Sequence, residues 1–335
     1  MLSFEEFQSF VADSIKSYLP PEYVNADVRL TTVKKDNDIE LSAICILKKD
    51  ADLAPNIYLN GYYDDYAAGN ITMNDVLNNV TAQRMKAELM MPKMNFNMNS
   101  LEASKERIVP KIINAHINKE LLEDRPHKIM GDLAVTYRII AGRDNGGVMS
   151  AVIDNKVMEK FGLNLDELHE LAITNMRKET PSKVCSMAEL LCGDLISQMV
   201  SDGMSEEMAI EMVNDMTKDA PMYVITNIDG VNGAAAVLDT VAMETLREKI
   251  GSDILLMPSS IHEIISIPYS EDMDLDYIKD MVAGINCNIV SENDFLSNSV
   301  YKYDFDKKEL VFADTKEKKI ESTHEHQNTT KKGSR

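Results

Sequence analysis

The sequence predicts an α+β fold with mostly antiparallel sheets and packed helices. Three observations lead there. Strand-like runs come in adjacent pairs joined by short polar turns, not by the crossover helices that parallel strands need. Amphipathic segments with helix-capping signatures lie between these pairs. The stretch from Met222 to Pro268 reads strand, turn, strand, helix, strand, turn, strand.

The chain opens on Ser3-Phe-Glu-Glu6, the spacing of a capping box. Phe7, Phe10, Val11, Ile15 and Tyr18 then line one helical face, and Pro20-Pro21 stops the helix. Strands follow at about Val28–Val33 and Ile39–Leu47, across the polar turn Lys35-Asp-Asn-Asp38. Pro55 to Tyr66 reads as a short strand and a helical turn. Thr72-Met-Asn-Asp75 caps a helix running to about Leu89, with Val76, Leu77 and Val80 inward. Residues 91–100 read as an irregular connector, and 106–124 as a strand followed by a helix.

Leu133–Ala141 and Gly147–Ile153 form the next strand pair, across Arg143-Asp-Asn-Gly-Gly147. Asp154 starts a helix to Phe161, and Asn164 caps another with Leu168, Leu171, Ala172 and Met176 inward. Helices are expected at about 186–201 and 205–217, the second capped by Ser205. Met222–Asn227 and Ala234–Leu238 read as strands around Asp229-Gly230 and Asn232-Gly233. Asp239 caps a helix ending at Gly251, and Pro258 and Pro268 close the last two strands of that stretch. Asp274–Ala283 reads as helix, and Val300–Tyr303 with Leu310–Ala313 as a closing hairpin.

This organisation suggests an N-terminal α+β lobe over 1–130, a second over 131–314 and a disordered tail over 315–335. The order strand, Asn-Gly turn, strand, Asp cap, helix, Gly occurs from Tyr137 and again from Tyr223. It reads as a duplicated ββα unit, and equally as two uses of a common unit.

The net charge of −20 disfavours binding to phosphate backbones or anionic membranes, which needs clustered Lys and Arg. Cys45, Cys185, Cys192 and Cys287 show no C-x-x-C pair, so free thiols in a reducing cytoplasm are expected. No apolar run is long enough to span a membrane. The 22 methionines suit adaptable surfaces or gap-filling in a core.

No complete catalytic constellation is present, and no cofactor or metal is expected. His169-Glu170 and His262-Glu263 open like zincin motifs, but Ile173 and Ser266 stand where the second His belongs. Phosphate-binding glycine loops are missing. Glu271, Asp272, Asp274 and Asp276 lack the EF-hand pattern and read as helix N-terminal charge. Two stretches remain as candidates. Tyr58, Tyr62, Tyr63, Asp64, Asp65 and Tyr66 form a Tyr-rich acidic segment suited to a recognition surface, or to a sheet-covering helix whose phenol hydroxyls reach solvent. Ser259, Ser260, His262 and Glu263 bring hydroxyl, imidazole and carboxylate into one turn, without a nucleophile elbow.

Ile57-Tyr-Leu-Asn-Gly-Tyr-Tyr-Asp-Asp-Tyr66, Leu168-His-Glu-Leu-Ala172, Pro221-Met-Tyr-Val-Ile-Thr-Asn227 and Leu256-Met-Pro-Ser-Ser-Ile-His-Glu263 carry a family resemblance. Over about residues 1–314 the chain resembles a family of anaerobic gut Firmicutes known only by a domain-of-unknown-function label. More distantly it is similar to the YtpQ-like proteins of bacilli. The resemblance implies a bacterial cytosolic α+β protein and transfers no active site. The expectation for function is a non-enzymatic binding or adaptor protein with another protein as partner. The alternatives are a hydrolase-like enzyme using the Ser259–Glu263 turn and an acidic mimic of nucleic acid. Oligomeric state is left open.

Overall fold

The structure, a computed structural model, describes residues 1–49, 54–90, 100–144, 147–216 and 221–314. Most of the expected connector 91–100 and the whole expected tail 315–335 lie outside the described residues. The fold is α+β, and the strands of its three sheets pair antiparallel.

The N-terminal unit begins with α1 (Phe4–Ser14), capped as expected by reciprocal bonds between Ser3 and Glu6. Then come β1 (Asp27–Lys34), β2 (Glu40–Leu47), β3 (Asn56–Tyr58), α2 (Asn60–Ala67) and α3 (Met73–Met90). The strands form one sheet in the order β1-β2-β3. Phe7, Val11 and Ile15 meet Ile44, Ile46, Ile57, Val76 and Val80 in a core of their own. Phe10 stays 44% exposed, off the i, i+4 row that carries Phe7 and Val11.

The second sheet is built on a long strand. After α4 (Leu101–Ser104) come β4 (Ile108–Asn114), α5 (Lys119–Glu123), β5 (Lys128–Met130), β6 (Leu133–Asp144) and β7 (Gly147–Val152). β4 pairs along one edge of β6, while β5 and β7 share the other. Next, α6 (Asn155–Phe161) and α7 (Leu165–Glu179) start at their expected Asp154 and Asn164 caps.

The chain continues through β8 (Ser182–Ser186), α8 (Met187–Leu191), α9 (Gly193–Ser201) and α10 (Glu206–Met216). β9 (Tyr223–Asn227), α11 (Thr240–Ile250), β10 (Ile254–Met257), β11 (Ile264–Pro268), α12 (Leu275–Ile289), β12 (Tyr301–Asp304) and β13 (Glu309–Phe312) complete it. The third sheet has the order β13-β12-β10-β11-β9-β8. Its two faces follow the period of two. Ile254 and Leu256 join the main core with β4, β6 and α7, whereas Leu255 and Met257 pack under α12.

Two expectations need correction. Ala234–Leu238 is not a strand but part of a buried 3-10 helix, Gly233–Leu238, so the ββα order is not repeated. Both edges of β9 are already taken, by β8 and β11, leaving no place for a hairpin partner. The small side chains instead let this segment press on β9 and β11. A Cβ on Gly233 would lie 2.2 Å from Thr226 Oγ1 and 2.4 Å from the His262 carbonyl oxygen. Secondly, a division at 130/131 runs through the sheet built on β6, separating β4 and β5 from it. The apolar cores divide elsewhere, with Phe7–Val80 in one and Ile108–Leu310 in the main one.

The β1–β2 turn joins the two parts. Asp36 is inserted between Lys111 and Arg125, at 2.7 Å from each, with all three side chains largely buried. Asn37, in the left-handed region at φ 64°, donates from its amide to the carbonyls of Glu292 and Phe295 and exchanges bonds with Asn118.

Candidate functional site

The Tyr-rich segment folds as expected, a short strand and then a helix, but its rings turn inward. Tyr63 and Tyr66 pack on Phe4 and Phe7 of α1, with centroids 4.9 to 5.5 Å apart. The Tyr63 hydroxyl donates to the Leu2 carbonyl and that of Tyr62 to Gln83. Tyr58 lies under the Lys35 ammonium, 4.5 Å from the ring centre. On α2, Asp64 and Asp65 are exposed, while Tyr62, Tyr63 and Tyr66 are half-buried.

At the Ser259–Glu263 turn, the structure brings His262 together with Asp294 rather than with a serine. His262 Nε2 lies 3.1 Å from Asp294 Oδ1, and Nδ1 accepts from the Asn232 N–H at 3.3 Å. The accepting Nδ1 carries no proton, so Nε2–H is the donor to the carboxylate. Ser260 Oγ accepts from the His262 backbone N–H, and the serine is buried in a bridge to Phe295. Nucleophilic catalysis needs a hydroxyl within reach of a ring nitrogen, and both nitrogens are engaged elsewhere. Glu263 has no hydrogen bond or ion pair among the described residues. Asp294 gave no signal in the sequence, because the segment around it has no periodicity.

A different surface stands out on the outer face of the third sheet. An apolar groove of about 360 Å³ runs between α12 and the β10–β11 strands. Met222, Met257, Met273, Met281, Ile265 and Ile285 supply much of its wall. Ser259, from the serine-histidine turn, and Asn286 add the polar atoms. Asn286 donates to the Ser297 carbonyl and to Asn298, while its own Oδ1 is buried without a partner among the described residues.

Helix α12 explains how the sequence builds this groove. Asp274 is its N-cap, accepting from the Tyr277 N–H, and Asp276 stands in the first turn. The acidic cluster is thus helix-terminal charge, as expected. Ile278 and Val282 face the sheet. Tyr277, Met281, Ile285 and Ile289 recur every four residues on another face and stay 67, 42, 44 and 78% exposed. The helix runs six residues past the expected end at Ala283, to Ile289. A Cβ on Gly284 would meet nothing within 4 Å, so that residue reflects no packing demand.

A family model matches residues 4–305 of the chain. The chain belongs to DUF5688, a family of unknown function. Among curated proteins and among solved structures nothing matches it. The DUF5688 match covers the N-terminal unit, the sheet on β6 and nearly all of the third sheet together, and it assigns no residue a role. Among the described residues no helix is long and apolar enough to cross a membrane, and no group of three His, Cys, Asp or Glu is placed to hold a metal ion.

Proposed function

We propose that this DUF5688 chain is a binding or adaptor protein whose partner lays a basic amphipathic helix along α12. The carrying observation is the exposed stripe Tyr277, Met281, Ile285 and Ile289 beside a methionine-lined groove. A surface helix normally turns its polar face outward. An apolar row on the solvent side, next to a groove, marks a place where another apolar surface docks.

Two features narrow the occupant. Methionine side chains repack around differently shaped apolar faces, which suits a groove that receives a helix. The rim is acidic: Glu271, Asp272, Asp274, Asp276 and Asp280 are exposed, while Lys279 is neutralised by Asp314. Complementary charge steers association and selects a partner, so the favoured helix carries Lys or Arg beside its apolar row. The four cysteines are free, which accords with a cytosolic protein. The tyrosines of α2 offer less free surface, since Tyr63 and Tyr66 pack on α1 and Tyr62 bonds Gln83 of α3.

The test is a fluorescence-anisotropy titration with a labelled Leu/Lys helix of about 18 residues, five turns long. A scrambled peptide of the same composition is the control for charge alone. Saturable binding of the helix, weakened roughly tenfold or more by the paired substitutions Met281→Glu and Ile285→Glu, is the expected result. Equal binding of the scrambled peptide, or of the helix to the variant, would remove the reading.

A further inference from the structure

A second cavity, of about 620 Å³, lies between α7, the 3-10 segment and the β12–β13 hairpin. Its wall is mixed: Val135, Ile173, Val237, Leu238 and Leu310 form an apolar part, and charged and polar side chains form the rest. We infer that it binds a small carboxylate with an apolar body, whose oxygens are received by His169, Tyr303 and Lys308.

The argument turns on donors that have no protein acceptor. The Tyr137 hydroxyl is buried and has one partner among the described residues, His169 Nδ1 at 2.9 Å. Burial raises the phenol well above its ordinary value, so the hydroxyl keeps its proton. Were Nδ1–H the donor, that phenol proton would be left unpaired in the core, at about 1–3 kcal/mol. Tyr137 is therefore the donor, and the His169 proton sits on Nε2. Burial, aided by Lys128, also lowers the His169 pKa, which keeps the ring neutral at pH 7. Nε2–H has no acceptor among the described residues, and His169 lines the cavity.

Tyr303 repeats the pattern. Its ring is largely buried and lines the same cavity, while its hydroxyl has no protein partner among the described residues and is open to solvent. Burial pushes this phenol up to about 12, so at neutral pH it offers a proton. Lys308 follows at the hairpin turn, in the left-handed region at φ 58°, with no ion-pair partner among the described residues. Its neighbours are engaged: Lys307 with Asp304, and Lys128 with Asp166. Two neutral donors and one unpaired cation above an apolar wall suit a single carboxylate on a carbon skeleton. Glu170 and Glu309 also line the cavity and weigh against ligands of higher negative charge.

Isothermal titration calorimetry with 1-naphthaleneacetate tests this, with 1-naphthaleneacetamide as the uncharged match in shape. The expected result is one saturable site for the acid, with the amide roughly tenfold or more weaker. Tyr303→Phe keeps the ring packing and is expected to weaken the acid by a similar factor. His169→Gln, checked for folding by near-ultraviolet circular dichroism, provides an independent second loss. Equal affinity for acid and amide, an unchanged affinity in folded Tyr303→Phe or His169→Gln, or no saturable site in the wild type would overturn the inference.

Discussion

Asp36 shows how much one side chain can hold. Burial alone would raise its pKa, but the Lys111 ammonium and the Arg125 guanidinium outweigh burial and hold the carboxyl well below the usual carboxylate range. Removing it leaves two buried cations unpaired, and breaking such an arrangement costs about 3–5 kcal/mol. Asp36→Asn is therefore expected to lower the unfolding free energy by an amount of that order in urea titrations at pH 7. The sign with pH follows from the depressed folded-state value. The stability Asp36 contributes is fully present above its unfolded pKa of about 3.9. It is lost as pH falls through the lower folded-state value. Wild type and Asp36→Asn should converge at the acid end; a gap that stays constant down to pH 2 would refute the account. The sequence shows Asp36 only as part of a polar turn. Its partners lie 75 and 89 residues away, and nothing local records them.

At the scale of elements, the β5–β6 turn depends on a close approach. Gly131 sits at φ 63°, and a Cβ there would lie 2.4 Å from the Tyr301 hydroxyl and 2.7 Å from the Phe312 ring. That hydroxyl also bonds Asp132, which accepts from Ser297 and Ser299 as well. Gly131→Ala adds backbone strain and overlap together, for a loss of about 2–4 kcal/mol. Thermal unfolding checks this, and a variant as stable as wild type would show that β12 has room to move. Elements with local signatures were legible: the Ser3, Asp154, Asn164 and Asp239 caps all stand where the side-chain chemistry puts them. β5 and β8 were not, because Lys128-Ile-Met130 and Ser182-Lys-Val-Cys-Ser186 hold too few β-branched or aromatic residues to read as strands. The site was less legible than the fold. His169 was visible as a motif fragment, but its pairing with Tyr137 and the nearness of Tyr303 depend on sheet order. The groove needed α12 set against β11, and its methionines are scattered from 222 to 281.

For the whole molecule, the arrangement of cores decides where the chain divides. Ile108 and Ile112 of β4 are fully buried in the main core, yet precede residue 131. Each contributes about 1.5–3 kcal/mol by burial, a large share of a typical stability of about 5–15 kcal/mol. A fragment of residues 131–314 also leaves both edges of β6 short of partners, since β4 and β5 are gone. A fragment of residues 100–314 keeps every described pairing of the second and third sheets. We expect the longer fragment to unfold cooperatively in urea, with native near-ultraviolet dichroism, and the shorter one to show neither. The longer fragment lacks Asp36, so Lys111 and Arg125 lose the carboxylate between them. Lys111→Met removes one of the stranded charges, with a side chain of similar length. It should stabilise fragment 100–314 and destabilise the full chain, where Asp36 would lose a partner. The same sign of effect in both backgrounds would mean that the β1–β2 turn is not what joins the two parts.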